Sequence, residues 1–183
     1  MKFECNVRYI LPIGDLKLDV GGVVLDVSEI LRNGRVSYLI FEEIVRRIFG
    51  LDKGIRGSDH SFNGSGIEQK AFSCNKEFFH IAASCTFNAN NKGPAIKSAL
   101  AKGDYDLALE ICKETGFNKN DFYVLTSTSQ YAVGSPIDII FLRKEDVLRN
   151  LDGADPRRMS VASLYRLVER IENVEVADAA KIM

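Results

Sequence analysis

The chain reads GSDHSFNGSGIEQKAF from Gly57 to Phe72, and this stretch has the pattern of a β-hairpin. Asn63-Gly64 is a dipeptide typical of two-residue hairpin turns, and Gly66 follows just after it. Residues suited to strands lie on both sides of this turn. The stretch therefore predicts two antiparallel strands joined at Asn63-Gly64.

The predicted hairpin would gather three chemically active side chains. If the second strand covers Ile67 to Ser73, Glu68 and Lys70 point to the same face, because side chains alternate along a strand. Folding back at the turn would bring Asp59 beside Glu68. The sequence thus predicts two carboxylates and a lysine in one place.

This set of side chains suits metal-assisted hydrolysis of a phosphate ester. Mg²⁺ prefers oxygen ligands and usually takes one or two protein carboxylates together with a substrate phosphate. The metal polarises the phosphoryl oxygen and makes its bound water more acidic. A nearby lysine can orient that water and offset developing negative charge. We therefore expect Mg²⁺ as the cofactor, with Mn²⁺ as a substitute.

The order of Asp59, a short hairpin connection and then Glu68-Gln69-Lys70 resembles the PD-(D/E)xK nuclease superfamily. Ser58 stands where that family often has proline, a departure that removes no metal ligand. The resemblance implies that Asp59 and Glu68 bind the metal and that Lys70 is the catalytic lysine. It also implies a restriction-endonuclease-like α/β fold, with a central mixed sheet flanked by helices. The implied activity is that of an endodeoxyribonuclease acting on double-stranded DNA, most like a type II restriction endonuclease.

The chain contains a second Asp-x-Lys triplet, Asp15-Leu16-Lys17, which has a structural explanation. Asp15 to Ser28 reads as a hairpin with Gly21-Gly22 at its turn. In that register Val20 faces Val23, and Lys17 faces Asp26 as a cross-strand charge pair. The corresponding structural alternative for Glu68 and Lys70 is an exposed strand face with two solvated charges.

A helix precedes the predicted hairpin. Ser37 is a suitable N-cap and Gly50 a suitable C′ residue. An apolar stripe at helical spacing runs between them, formed by Ile40, Phe41, Ile44, Val45 and Ile48. On a helical wheel Glu43 lies at the edge of this stripe, whereas Glu42 lies nearly opposite it. Glu43 is therefore the candidate auxiliary acid, the alternative being a favourable charge in the first turns of a helix.

The remaining chain alternates strand and helix patterns, which favours a central sheet flanked by helices. The predicted strands are Phe3–Ile13, Phe122–Ser127 and Ile137–Leu142, and Phe78–Phe87 is a strand or a strand–helix junction. The predicted helices are Pro94–Lys102, Asp104–Thr115 with Gly116 as its stop, and a closing helix Ser160–Glu172.

Composition sets wider bounds. With 183 residues the chain can form one sizeable α/β core and hardly two, so we predict a single domain over residues 1–183. A net charge of −1 weighs against DNA binding by bulk electrostatics but leaves room for a local basic cleft. Its apolar runs are too short for a membrane span, and its first residues do not begin a secretory signal. Four cysteines without a Cys-x-x-Cys pair, and only two histidines, favour a cytoplasmic protein without a zinc site.

Two polar loops are candidates for contact with DNA bases. The first contains Asn88, Asn90, Asn91 and Lys92, and the second, Ser127–Tyr131, contains Gln130. Asparagine and glutamine can make two hydrogen bonds to an adenine edge, and lysine can reach guanine or phosphate. The alternative for both is a plain surface loop.

Cutting both strands of a symmetric DNA site is most simply done by a twofold homodimer, with one active site for each strand. The apolar stripe of the predicted helix Ser160–Glu172 is a candidate interface, although such a helix usually packs on its own domain. Specificity could also come from a heteromeric partner subunit. Two alternatives stay open: a phage or repair nuclease that recognises DNA structure, and a non-catalytic α/β module.

Overall fold

The computed structural model describes residues 1–14, 17–20, 22–27, 37–55, 57–81, 92–127 and 135–175. The strands are β1 (Val7–Leu11), β2 (Lys17–Val20), β3 (Val23–Asp26), β4 (Asp52–Lys53), β5 (His60–Phe62), β6 (Ser65–Phe72), β7 (Phe78–His80), β8 (Phe122–Ser127), β9 (Ile137–Arg143), β10 (Arg158–Ser160) and β11 (Arg170–Asn173). The helices are α1 (Ser37–Ile48), α2 (Gly93–Ala101), α3 (Tyr105–Cys112), α4 (Lys144–Arg149) and α5 (Val161–Arg166), and Gly116–Lys119 is a 3₁₀ helix.

Seven of these strands form one mixed sheet in the order β11-β1-β9-β8-β6-β5-β4. Neighbouring strands are parallel at β1–β11 and at β6–β8, and antiparallel at the other four junctions. The predicted α/β architecture with a central mixed sheet is therefore confirmed. Two small antiparallel ribbons, β2–β3 and β7–β10, lie outside this sheet.

Helices cover both faces of the sheet because its central strands are apolar on both sides. Along β8, Val124 belongs to one buried cluster while Tyr123 and Leu125 belong to the other. The side chains of α1 pack into the first cluster. Those of α2, α3, α4 and α5 pack into the second. Strands buried on both faces read as near-continuous apolar runs, as β8 and β9 do.

Two local predictions are confirmed by the structure. In the first ribbon Val20 pairs with Val23, and Lys17 pairs with Asp26 through an ion pair of 2.7 Å. Asp15 and Leu16 of the second triplet lie outside the described residues. Helix α1 runs from Ser37 to Ile48, so Ser37 is its first residue rather than its N-cap, and Gly50 at the predicted C′ position has a φ of +62°, the left-handed conformation that favours glycine. Among the residues that the structure describes, no helix has the length and apolar character needed to cross a lipid bilayer.

The predicted closing helix Ser160–Glu172 is wrong beyond its first turns. Helix α5 ends at Arg166, and the chain then extends as β11 parallel to β1. Hydrogen bonds to β1 and its flank, such as Val174 N–H to the Ile10 carbonyl at 2.9 Å, bind this segment to the sheet edge. Ile171 is consequently 57% exposed, so the apolar stripe proposed as a dimer interface does not exist as one helical face.

Three smaller elements also differ from the sequence prediction. Residues 144–149 form helix α4, which is not among the predicted helices. Residues 158–160 form β10, which pairs with β7. Gly116 does not simply end α3: it begins the 3₁₀ helix that leads into β8. Each depends on a partner distant in sequence or on a stretch too short for a periodic pattern.

The topology of the central sheet predicts that two isoleucines, both in strands, contribute very differently to the free energy of unfolding. Ile139 in β9 is fully buried, whereas Ile171 in β11 is 57% exposed. We expect Ile139→Ala to lower the free energy of unfolding by about 2–5 kcal/mol, through lost burial and the cavity left behind. The matched Ile171→Ala should cost less than about 1 kcal/mol, the span of strand propensity. Urea denaturation measures both, and equal losses would contradict the topology.

Candidate active site

The predicted hairpin is present as strands β5 and β6. His60 pairs with Ile67 and Phe62 with Ser65, so the turn consists of Asn63-Gly64 alone. Both turn residues have positive φ, +50° and +83°, as a type I′ turn requires. This turn type matches the right-handed twist of the strands and thereby sets their register.

The register places Asp59 opposite Glu68, one position beyond the His60–Ile67 pair. The Asp59 N–H donates to the Ile67 carbonyl at 3.1 Å, which continues the antiparallel ladder. The Gln69 N–H then donates to the Asp59 carboxylate at 2.7 Å. A carboxylate side chain thus takes the place of a backbone acceptor at the end of the hairpin. Because this bond is made to the backbone of β6, Asp59 is tied directly beside Glu68.

Glu68 and Lys70 form a close ion pair. Lys70 Nζ donates to Glu68 Oε1 at 2.6 Å, and Lys119 Nζ lies 3.2 Å from Glu68 Oε2. Only 13% of the Glu68 side chain is exposed. Within the described residues the buried Oε2 atom makes no hydrogen bond, and its contact with Lys119 is an ion pair. This arrangement differs from a strand face with two separately solvated charges.

Burial and neighbouring charge raise the pKa of the Asp59 carboxyl above its ordinary value. Desolvation is the largest cause, and the charge of Glu68 acts in the same direction. The hydrogen bond from the Gln69 N–H opposes it, as do the charges of Lys70 and His60. Perturbed carboxyls of this kind are common at functional sites, because burial there tunes reactivity.

Glu42 of α1, one residue before the predicted Glu43, interacts electrostatically with Asp59, Glu68 and Lys70. Burial raises the pKa of the Glu42 carboxyl, and the charges of Asp59 and Glu68 raise it further while Lys70 opposes them. Glu43 instead forms ion pairs with Arg46 and Arg47 along its own helix. A helical wheel orders residues around the apolar stripe but does not say which flank meets the hairpin. Only the packing of α1 on the sheet identifies Glu42.

Sequence reasoning missed Lys119, which comes from a segment about fifty residues further along the chain. Its Nζ donates to the Gly57 carbonyl at 2.6 Å in addition to contacting Glu68. Ser58, at the position where the superfamily often has proline, donates from Oγ to Asn120 Oδ1 at 2.9 Å. A Cβ on Gly66 would clash with the Lys119 carbonyl oxygen and with Ser58 Oγ. These contacts dock the end of the 3₁₀ helix onto the hairpin, and no sequence spacing predicts them.

His60 supports the hairpin from its other face. The residue is buried, and its Nε2 lies 2.7 Å from Gln69 Oε1. The amide oxygen of Gln69 is an acceptor, so His60 Nε2 carries the proton in this contact. Burial lowers the pKa of the His60 imidazole, which favours the neutral form. The pair holds β5 against β6 beside the Gln69 N–H that binds Asp59.

Most of the residues predicted to contact DNA lie outside the described residues. These are Asn88, Asn90, Asn91 and Gln130. Lys92 is described: it precedes α2 and forms an ion pair with Glu114 at 2.8 Å. Ser127, which starts the second predicted loop, is the last residue of β8 and pairs in register with Phe72 of β6.

The donor set at the hairpin fits a hard divalent cation of the Mg²⁺ type. Asp59 and Glu68 supply carboxylate oxygens, and Glu68 Oε2 is a buried acceptor without a hydrogen bond among the described residues. Mg²⁺ commonly uses one or two protein carboxylates and completes its shell with water and substrate phosphate. A group of three or more histidine, cysteine or acidic residues able to hold a metal is absent from the described ranges.

The raised pKa of Asp59 predicts that its charge costs folding stability. Between the ordinary pKa of about 3.9 and the raised folded value, the folded chain binds more protons, so stability falls as pH rises through that window. We expect Asp59→Asn to raise the free energy of unfolding at pH 7 by about 0.5–2 kcal/mol, the usual size of a stabilising substitution. The gain should disappear below pH about 3.9, where Asp59 is protonated in both states. Urea unfolding across a pH series measures it.

Asp152 is the control of opposite sign. The Ala154 N–H and then Arg158 lower the pKa of its carboxyl, so its charge stabilises the fold above the ordinary pKa and that contribution is lost as pH falls through the lowered one. Asp152→Asn should therefore reduce stability at pH 7. Changes of the same sign in the two variants would contradict the electrostatic assignment at Asp59.

No family model, curated protein or solved structure matches this chain. The resemblance to PD-(D/E)xK nucleases, which covers residues 37–73, therefore stays a prediction from the sequence. The chemistry open to this site therefore follows from its own residues and their geometry.

Proposed function

We propose that this protein is a Mg²⁺-dependent endodeoxyribonuclease that hydrolyses phosphodiester bonds of double-stranded DNA. The observation that carries the proposal is the hairpin register, which sets Asp59 opposite Glu68 with Lys70 bonded to Glu68. Two carboxylates and a lysine at this spacing suit phosphate ester hydrolysis better than they suit a surface without a catalytic role. Mn²⁺ would substitute for Mg²⁺ because it accepts the same oxygen ligands.

Asp59 and Glu68 would hold the metal. When bound, the metal would polarise a phosphoryl oxygen and lower the pKa of its water. The Gln69 N–H favours the charged form of Asp59 and fixes the direction of its carboxylate. Glu68 offers Oε2, since Lys70 already occupies Oε1. The hairpin thus presents one oxygen from each strand.

Lys70 would act on the attacking water and on the charge that builds up at phosphorus. Its side chain is 28% exposed, so the ammonium group is held by Glu68 yet reachable from solvent. A fixed positive charge stabilises the transition state more than the ground state, because negative charge increases during attack. Lys70 is therefore the residue whose loss should slow the chemical step without removing substrate binding.

Glu42 is the proposed proton acceptor in place of Glu43. Burial raises the pKa of its carboxyl, and a base whose pKa lies closer to neutrality accepts a proton from water more effectively. Its position on α1 is set by the buried stripe that packs the helix on the sheet. Glu43, paired with two arginines on the helix surface, is less suited to this role.

Recognition of the DNA sequence is assigned to the loop residues Asn88, Asn90, Asn91, Lys92 and Gln130. One placement supports this: β8 runs parallel to β6, and Ser127 pairs with Phe72, two residues beyond Lys70. β8 therefore ends at Ser127, level with the residue two positions beyond Lys70, and Gln130 follows three residues later in the sequence. We further propose a twofold homodimer with one site for each DNA strand, because a duplex has two antiparallel strands.

Lys70→Ala should reduce DNA cleavage by about 10²–10³-fold, the usual effect of removing one electrostatic group that acts on the transition state. DNA affinity measured in Ca²⁺ should change little. Lys17→Ala is the matched control, because Lys17 belongs to the other Asp-x-Lys triplet and pairs with Asp26 at the surface. A plasmid-nicking assay with and without Mg²⁺ measures the effect. Full activity of purified Lys70→Ala, or the absence of any metal-dependent nicking by the wild type, would refute the mechanism.

Asn90→Ala and Gln130→Ala should relax sequence discrimination, each by about 1–3 kcal/mol, the value of one bidentate hydrogen-bonded pair with a base. Metal affinity should stay unchanged, since neither residue belongs to the hairpin. Cleavage patterns on a long DNA substrate measure this. Discrete bands from the wild type support sequence recognition, whereas a smear or cuts confined to junctions would identify a nuclease that recognises DNA structure.

A further inference from the structure

We propose that Lys119 is a second phosphate-binding lysine of the site, and that it competes with the divalent cation for Glu68 Oε2. The inference rests on the proposed function, because it assigns a role to a residue beside the same carboxylate. It adds a residue that lies outside the Asp59 to Lys70 stretch altogether.

The two lysines at Glu68 differ in how they bind it. Lys70 makes a hydrogen bond of 2.6 Å to Oε1. Lys119 lies 3.2 Å from Oε2, which has no hydrogen-bond partner within the described residues. One of the three N–H donors of Lys119 goes to the Gly57 carbonyl at 2.6 Å. Oε2 therefore retains an unused lone pair on the side where Lys119 lies.

A metal ion bound to Glu68 Oε2 and the ammonium group of Lys119 cannot both stay close to that oxygen. A Mg²⁺ ion bound to Oε2 would place a second positive charge beside the oxygen that Lys119 Nζ approaches at 3.2 Å. Like charges this close together repel strongly where water is scarce, and only 13% of Glu68 is exposed. Binding of the metal should thus displace Nζ from Glu68.

The backbone of Lys119 would stay in place during this change. Its carbonyl oxygen packs against Gly66, and the neighbouring Asn120 accepts the Ser58 hydroxyl. The Asp121 N–H also donates to the Gly66 carbonyl at 2.8 Å. Only the flexible side chain is free to swing, and a third of it is exposed. A displaced ammonium group would remain at the rim of the site.

A DNA phosphate is the partner that suits the displaced lysine. Asp59, Glu68 and Glu42 bring three acidic groups to the region. A bound DNA substrate adds further negative charge, on the phosphates on either side of the scissile phosphate. Lysine binds phosphate as a point charge without strict geometry. Lys119 would thereby tie metal binding to DNA binding.

The test uses the full chain and two probes, Mn²⁺ alone and duplex DNA in Ca²⁺. Lys119→Met removes the charge at similar length, and Lys119→Arg keeps the charge. Lys113→Met is the control, because Lys113 is 62% exposed and pairs with Glu110 away from Glu68. Titration calorimetry measures Mn²⁺ affinity, salt-dependent DNA binding counts the phosphates neutralised, and thermal melting reports the fold.

We expect Lys119→Met to bind Mn²⁺ at least about 5-fold more tightly, the lower end of typical coupling between two ligands. Its DNA binding should show a salt slope reduced by about 0.9, which corresponds to a single phosphate no longer neutralised. Lys119→Arg should resemble the wild type, as should Lys113→Met.

Three outcomes would overturn the inference in different ways. Unchanged Mn²⁺ affinity and salt slope in Lys119→Met would remove Lys119 from the site while leaving the proposed function standing. Weaker Mn²⁺ binding together with a lower melting temperature would show that Lys119 only stabilises the loop at Gly57. A wild type that binds no Mn²⁺ would refute the proposed function itself, and this inference with it.

Discussion

The hydrogen bond from the Gln69 N–H to the Asp59 carboxylate is the contact on which the site depends. It joins the first carboxylate to the backbone of the strand that carries Glu68 and Lys70. Its geometry follows from the Asn63-Gly64 turn, whose two positive φ values set the register of β5 against β6. A slip of one residue would turn Glu68 and Lys70 to the opposite face of the sheet. The chemistry proposed for this protein therefore rests on a two-residue turn.

The site also depends on how a mostly buried carboxylate is compensated. Burying Glu68 without a partner would cost more free energy than the fold can spare, because an isolated buried charge loses its hydration. Lys70 and Lys119 offset this cost from two directions, one by a hydrogen bond and one by charge alone. Because a lysine ammonium group binds a carboxylate as a point charge without a fixed fork geometry, Glu68 can exchange one positive partner for another. A tight bidentate arginine in the same place would hold Glu68 more rigidly.

The hairpin gains rigidity from a part of the chain that is distant in sequence. Residues 119–121 contact Gly57, Ser58 and Gly66, and they lead directly into β8, which is parallel to β6. Parallel neighbours need a long crossover connection, which here contains α2 and α3. The elements between β6 and β8 thus return the chain to β6, where residues 119–121 contact the hairpin. Ser58 fastens its loop to this segment through the hydrogen bond to Asn120.

Local sequence was sufficient wherever a short segment contains its own stabilising contacts. The Asn63-Gly64 turn, the Lys17–Asp26 ribbon and the stripe of α1 all follow from neighbours within a few residues, and the structure contains all three. The α/β class with a central mixed sheet was also predictable, because its strands and helices alternate along the chain. Tertiary structure alone decided what lies beside the hairpin. The packing of α1 selects Glu42 over Glu43, and the 3₁₀ helix brings in Lys119. It also places residues 170–172, predicted as the end of a helix, in β11, because the edge of β1 supplies hydrogen-bond partners that a local pattern cannot reveal.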